Sequence, residues 1–273
     1  MDRFRKASRT GHKLGCTPLV EWQGKGAAAQ VFGKHIALII PALNEADSIA
    51  SVCQQIPRQL FLQLIVVDNG SRDGTAEAAR AAGAQVILEP RQGYGQACWA
   101  GLDCLRPEID AVVFMGADLA DDPADLAPLV HSFQEGQWDL VIGSRVLGVP
   151  EPEALTSLQR FGNWLATRLI WKVWRVHFTD LGPMRIVSRQ ALVQLDLRDR
   201  DFGWNVEMQA KAARLKLRVA ELPVTYRRRR FGRSKISGTV MGSLRAGAKI
   251  LWTIYRCWRA PLRPAETKQS TRL

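Results

Sequence analysis

The sequence predicts an α/β protein with a mostly parallel central sheet flanked by helices. Three observations carry that expectation. Short apolar runs alternate with helical patterns from His35 to about residue 150, acids gather at the ends of those runs, and 273 residues are enough for a normal core. Strands alternating with helices imply right-handed βαβ crossovers.

Residues 1–34 keep no sustained period and close on a Gly/Ala-rich patch, so they are expected to be a poorly ordered, basic extension. "HIALIIPA" is the first strand, followed by the helical pattern "EADSIASVCQQI". "LQLIVVD" is the second strand and "GTAEAARAAG" its helix, with Asp73 read as that helix's cap. "AQVILEP" is the third, and "RQGYGQA" turns it into the helix "GQACWAGLDCL". The two glycines of that turn are an incomplete dinucleotide fingerprint, equally consistent with a tight strand-to-helix connection. "DAVVFMG" and "WDLVIGS" are strands four and five, and Asp122-Pro123 between them opens a helix. After residue 150 the rhythm changes. A long Trp- and Arg-rich helix (154–176) leads to the strand "MRIVS", a helix at 203–215 and the strand "LRVAELPVTYR". An amphipathic basic helix covers roughly 238–258. The expected organisation is an extension (1–34), a globular domain (35–237) and the amphipathic helix with its tail (238–273).

Five cysteines, scattered and without a C-x-x-C pair, argue against a secreted disulfide framework and for a reducing cytosol. No apolar run approaches the ~18 residues of a membrane span, and the N-terminus lacks a signal-peptide core. The net charge of +12 divides unevenly. Residues 1–34 carry seven Lys/Arg and two acids, residues 35–150 six and fifteen, and residues 151–273 twenty-five and nine. A phosphorylated substrate, an anionic membrane or nucleic acid would each suit the basic half. No RNA- or DNA-binding module is recognisable, so a basic nucleic-acid-binding protein is kept only as the alternative from another class.

In an open α/β sheet, ligands lie beyond the carboxyl ends of the strands. Four of the five ends here carry an acid, which suits a base, a ribose or a metal-held phosphate better than a bare phosphate. Asp68 either binds a nucleotide or closes an Asx turn in "DNGS". Asp118 follows its strand directly and no helix cap explains it. Tyr94 is a candidate wall beside a ligand. "YRRRRFGRSK" places six cations within residues 227–235, and Gly232 permits a turn that brings Ser234 and Lys235 onto one phosphate, with guanidinium groups on its oxygens. Trp164, Trp171 and Trp174, interleaved with Arg160, Arg168, Lys172 and Arg175, are either a core stripe or an interfacial anchor. Arg245, Lys249 and Arg256 beside Trp252 point to the membrane reading. His177 is read as structural, and Glu207 as an ordinary helix residue.

The motifs "IIPALNE", "VVDNGSRDGT", "GYG", "GSR", "DLGPMR", "GWNVEMQAKA", "ELPVTYRRR" and "GRSKISGT" occur in an order and spacing that resemble the family 2 glycosyltransferases of the GT-A fold. The likeness lies in the branch of the dolichol-phosphate mannosyltransferases and polyprenyl-phosphate glycosyltransferases, over roughly residues 36 to 250. It implies a GT-A catalytic domain over 35–237, with a nucleotide-binding half (35–150) and an acceptor half (151–237). It further implies transfer of a sugar from a UDP- or GDP-linked donor to a polyprenyl or dolichyl phosphate, with inversion. The charge division together with the missing apolar span leads to the expectation of a protein peripheral on the cytoplasmic face of the membrane. Pro41, Glu45, Asp68, Tyr94 and Ala117 would line the nucleotide pocket, with Asp118 at the ribose, diphosphate and metal. Arg145, Asp180, Arg185, Arg229, Ser234 and Lys235 would face the sugar and acceptor phosphate, and Glu207 is raised to a site candidate.

The family usually presents Asp-x-Asp, two carboxylates sharing a divalent cation, Mg²⁺ or Mn²⁺, with the diphosphate. This chain has Gly116-Ala117-Asp118, and Ala120 where members often carry another polar ligand. Asp118 alone can hold such an ion together with substrate phosphates and water, and Asp121 could turn inward beside it. A phosphate acceptor is already an anion and needs no strong base. A soluble alcohol or glycan, the alternative acceptor on the same fold, would need one, with Asp180 or Glu207 as the candidate.

Overall fold

Each of the seven apolar runs becomes a strand: β2 (Ile36–Ala42), β3 (Gln63–Asp68), β4 (Gln85–Leu88), β5 (Ala111–Phe114), β6 (Leu140–Ser144), β7 (Arg185–Ser188) and β8 (Val219–Pro223). The structure is a computed structural model and describes residues 20–22, 35–148, 150–229 and 240–260. An eighth strand, β1 (Val20–Trp22), pairs antiparallel with β8 at the sheet edge, inside the segment from which the sequence predicts no order. The rest of that segment lies outside the described residues.

The sheet order is β1-β8-β6-β7-β5-β2-β3-β4. Four pairings are parallel (β2 with β3 and β5, β3 with β4, β6 with β8) and three antiparallel, two of these made by β7. Strands β2, β3, β5 and β6 are buried almost without interruption, as a sheet covered on both faces requires. One face carries α1 (Ala46–Gln55), α2 (Thr75–Ala81) and α4 (Leu126–Gly136). The other carries α3 (Tyr94–Asp103), α5 (Ser157–Trp174), α6 (Arg189–Leu195) and α7 (Trp204–Leu215). Trp204 opens α7 and is fully buried, edge-on to Trp99 of α3 and Phe114 of β5, with ring centroids 6.0 Å away in each case. Full burial of such a side chain contributes roughly 1.5–3 kcal/mol and joins helix layer to sheet. The four described cysteines are free.

Two features of this layout place the site. β2 has β3 on one side and β5 on the other, so the chain reverses its winding at β2 and leaves a crevice at the carboxyl ends of these strands. β7 begins where β5 and β6 end, its Arg185 opposite Phe114 and Ile142, so the second half of the chain starts at the same end of the sheet.

The amphipathic helix, α8 (Val240–Arg259), packs on α5 and α7. It buries Thr253, Ile254 and Cys257 and leaves Leu251, Trp252, Tyr255 and Trp258 exposed. Two of its cations do not face outward as expected. Lys249 Nζ lies 3.0 Å from Asp199, and Arg256 lies 3.3 Å from Glu207 and 3.7 Å from Asp199, both acids being buried at the junction with α7. Buried acids draw the nearest cations inward, so Lys249 and Arg256 dock the helix and leave its aromatic side to solvent.

Candidate active site

The crevice is built by backbone crossing between loops. Asn44, at φ 49°, donates its N–H to Ser71 Oγ (2.8 Å) and accepts the Arg72 N–H (2.8 Å), locking the end of β2 to the turn after β3. Asp73 accepts N–H groups from Ala46 (3.2 Å) and Thr75 (3.0 Å), tying the starts of α1 and α2 together. Asp68 closes the turn after β3, its Oδ1 accepting the N–H of Ser71, three residues on rather than the two of an Asx turn, at 2.8 Å, and Oδ2 has no hydrogen bond among the described residues. Pro41 stands one residue before the end of β2, opposite Val67.

Ala117 contributes its carbonyl, which accepts Ser48 Oγ of α1 at 2.8 Å; the same hydroxyl lies 3.2 Å from Glu45 Oε2. Arg229 spans the two acids of the crevice. Its Nη2 donates to Glu45 Oε1 at 2.6 Å and its Nε to Asp118 Oδ2 at 3.2 Å. Arg229, assigned from sequence to the acceptor phosphate, thus stands between Glu45 and Asp118, the two acids assigned from sequence to the donor.

Asp118 and Asp121 lie in a loop that reverses at Leu119, φ 60°. Asp121 is turned fully inward, its Oδ2 accepting the Gly116 N–H at 3.0 Å. Burial, and then the neighbouring charge of Asp118, push its carboxyl up to about 7. Among the described residues no three His, Cys, Asp or Glu side chains converge as a ready metal cage. The two carboxylates fit a hard cation that takes its remaining ligands from water and phosphate.

Across the crevice, Arg145 and Asp180 form one unit. Asp180 is fully buried, and its oxygens accept Arg145 Nε (2.7 Å), Nη2 (2.9 Å) and N–H (2.8 Å), with the Leu181 N–H at 2.8 Å. The Arg145 guanidinium sits 5.0 Å from the Tyr226 ring centroid. Such a bidentate pair is strong and directional. Asp180 therefore has no lone pair left for general-base work; it aims Arg145.

Three other assignments are corrected. Arg185 is fully buried and donates to the carbonyls of Leu181 (3.2 Å), Gly182 and Asn205 (3.3 Å), and burial lowers it to about 10. It is sealed from any acceptor and instead holds the loop that carries Asp180. Glu207 accepts the N–H groups of Arg198 (2.9 Å) and Asp199 (2.6 Å), pairs with Lys211 (2.9 Å) in α7 and meets Arg256 of α8 at 3.3 Å, which makes it a joint between α7 and α8 rather than a base. Tyr94 opens α3 partly buried against the core, and its hydroxyl points inward rather than into the crevice. The adjoining glycines serve packing: a Cβ on Gly93 (φ 150°) would stand 2.3 Å from the Arg200 carbonyl, and one on Gly95 2.3 Å from that of Asp199. Gly232, Ser234 and Lys235 lie outside the described residues.

Sequence reasoning missed Glu221 and Tyr226. Glu221 in β8 is buried, accepts the N–H groups of Thr179 (2.9 Å) and Asp180 (3.3 Å), and is pushed up to about 7 by burial. It fixes the backbone behind Asp180. The acid in "ELPVTYR", on a strand with no exposed face, was the available signal.

Comparison with known proteins gives the family and the fold. Residues 37–195 match the model of glycosyl transferase family 2. An uncharacterised glycosyltransferase of Mycobacterium tuberculosis is 38% identical over 214 residues, 78% of this chain and 94% of that one. The undecaprenyl-phosphate mannosyltransferase of Micrococcus luteus is 28% identical over 223 residues, 76% of this chain and 90% of that one. Glucosyl-3-phosphoglycerate synthase from Mycobacterium tuberculosis, solved with Mn²⁺, UDP and glucosyl-3-phosphoglycerate, superposes with a TM-score of 0.64 at 24% identity, over 82% of this chain and 81% of that one. The fold is the GT-A fold.

Proposed function

We propose that this chain, which belongs to glycosyl transferase family 2, moves a sugar from a nucleotide-sugar donor to a polyprenyl- or dolichyl-phosphate-type lipid while resting on the cytoplasmic face of a membrane. The chemistry is in-line displacement at the anomeric carbon with inversion. Glu45 and Asp68 hold the nucleoside end of the donor. Asp118 would hold a divalent cation, which when bound would supply positive charge to the leaving diphosphate. A diphosphate entering the crevice also meets the guanidinium of Arg229. Arg145, aimed by Asp180, orients the acceptor phosphate, which is already an anion, so positioning and charge are the demands on the protein.

One observation carries the lipid reading: α5 joins the site to an exposed aromatic and basic face. Asn163 donates to the Thr179 carbonyl (3.1 Å) and accepts the Leu181 N–H (2.8 Å), gripping the loop of Asp180. On either side of it Phe161 and Trp164 are both 56% exposed, their rings 5.9 Å apart, and Arg160, Arg168, Lys172 and Arg175 are exposed along the same helix. The outward aromatics of α8 lie on the helix packed beside it. The tryptophans of α5 divide: Trp164 points out, Trp174 packs on the core, and Trp171 lies under Arg168 (4.9 Å) and Arg175 (5.3 Å). Aromatic rings at headgroup level with cations beside them suit an anionic bilayer surface. No helix among the described residues is long and apolar enough to cross a membrane.

Vesicle co-sedimentation tests this reading. Binding is expected to rise with anionic lipid, fall with salt, and drop in a Phe161→Ser/Trp164→Ser variant, since each cation near the surface contributes on the order of 1 kcal/mol within a Debye length of about 8 Å. No binding at low salt would favour a soluble acceptor on the same fold, as the phosphoglycerate-derived ligand of the structural relative exemplifies.

A further inference from the structure

We infer that Asp121 supplies the second carboxylate of the cation site, reaching from three residues beyond Asp118 into the space left by the missing acid at Gly116. The inference rests on the reading of Asp118 as a cation ligand. A Cβ at Gly116 would stand 3.2 Å from Asp118 Oδ1 and 3.2 Å from Asp121 Oδ2, so both acids reach the point where a side chain at 116 would begin. The αL residue Leu119 turns the loop so that residues 118 and 121 face the same way. The Arg227 N–H, donated to the Ala120 carbonyl at 2.8 Å, and the bridge of Asp121 to Tyr226 hold the loop there.

The plainer reading is that Asp121 only staples the loop through the Gly116 N–H. That accounts for Oδ2 alone. Its Oδ1 is buried with no hydrogen-bond partner, in a residue 2% exposed. A staple needs one acceptor, which an Asn would provide without placing a second acid beside Asp118. Buried polar atoms are nearly always satisfied, so an orphan carboxylate oxygen beside another carboxylate marks a place for a cation. Asp118 can share: Arg229 takes its Oδ2, while Oδ1, which accepts one N–H from Ala120 at 3.2 Å and has a second lone pair, faces the Gly116 side. The ligand class is a hard divalent ion such as Mg²⁺ or Mn²⁺, completed by diphosphate oxygens and water.

The test is Mn²⁺ binding, read by loss of the free-ion electron paramagnetic resonance signal, with the full chain and either UDP or GDP present. Wild type is expected to bind, and Asp118→Asn and Asp121→Asn each to lower Mn²⁺ affinity about tenfold or more. The swap Gly116→Asp/Asp121→Ala returns an acid from the strand side and is expected to restore binding. If Asp121→Asn binds Mn²⁺ like wild type while Asp118→Asn does not, Asp121 is only a staple and the cation reading stands. Wild type that binds no Mn²⁺ with either nucleotide overturns the cation reading and this inference with it. A swap variant that melts like wild type yet stays unrestored contradicts the proposed location.

Discussion

The two halves of the chain use acids in opposite ways. In residues 35–150, Asp68 closes β3 and Asp118 sits in the loop after β5, each held by one or two side-chain hydrogen bonds. In the second half, Asp180, Asp199, Glu207 and Glu221 are buried within a network of backbone N–H groups and cations. Asp68 and Asp118 keep carboxylate oxygens at the crevice, while Asp73 of the same half fastens α1 to α2. The four acids of the second half are internal fastenings: they aim Arg145, fix the loop behind it and dock α8. A buried charge is tolerated only when paired, so removing a fastening costs stability, whereas removing a ligand-facing acid costs function.

Asp180→Ala should break this contrast most visibly. It leaves Arg145, whose side chain is 14% exposed, without its partner, and a loss of about 3–5 kcal/mol is expected in chemical denaturation. A loss below about 1 kcal/mol would mean that the pair is not a fastening.

Next comes the pH dependence of Glu221. Its folded carboxyl, near 7 against an ordinary 4.5, holds its proton more tightly than the unfolded chain does. The stability it contributes is full below about 4.5 and is lost as pH rises through about 7. Relative to Glu221→Gln, wild type should lose on the order of 3 kcal/mol across that window. Parallel pH profiles of the two proteins would remove Glu221 as the cause.

Glu207→Gln should cost roughly 1–3 kcal/mol by weakening charged hydrogen bonds at the α7–α8 joint, with faster amide exchange concentrated in α8. Uniform acceleration across the sheet would instead place Glu207 in the global core. Smallest in stability should be Asp118→Asn and Asp68→Ala, at about 1 kcal/mol or less, because each loses only local or part-exposed bonds. Turnover should nonetheless be lost in Asp118→Asn and nucleotide affinity reduced in Asp68→Ala. Unchanged nucleotide binding in Asp68→Ala would return that residue to turn duty alone.

The same contrast explains what the sequence could disclose. The strands of the first half and their acidic ends were legible because alternation and strand-end position are local signals. Asp73 as a fastening and the inward turn of Asp121 could be considered from their neighbours alone. Helix α4 was harder, since Pro128 interrupts its apolar period, and α6 has only seven residues. The roles of Arg185 and Glu207 were not legible. Whether a charged side chain enters a crevice or a core depends on partners far along the chain, such as the Asn205 carbonyl for Arg185 and Arg256 for Glu207. The motif resemblance pointed to those residues but not to the direction in which they face.

The central claim, sugar transfer to a lipid-linked phosphate, is tested most directly by incubating the full chain with a panel of labelled UDP- and GDP-sugars and membranes, then partitioning the products between water and organic solvent. The account predicts that label from one donor enters the organic phase and that Asp118→Asn abolishes this. Donor consumption with all label in water-soluble product would contradict it.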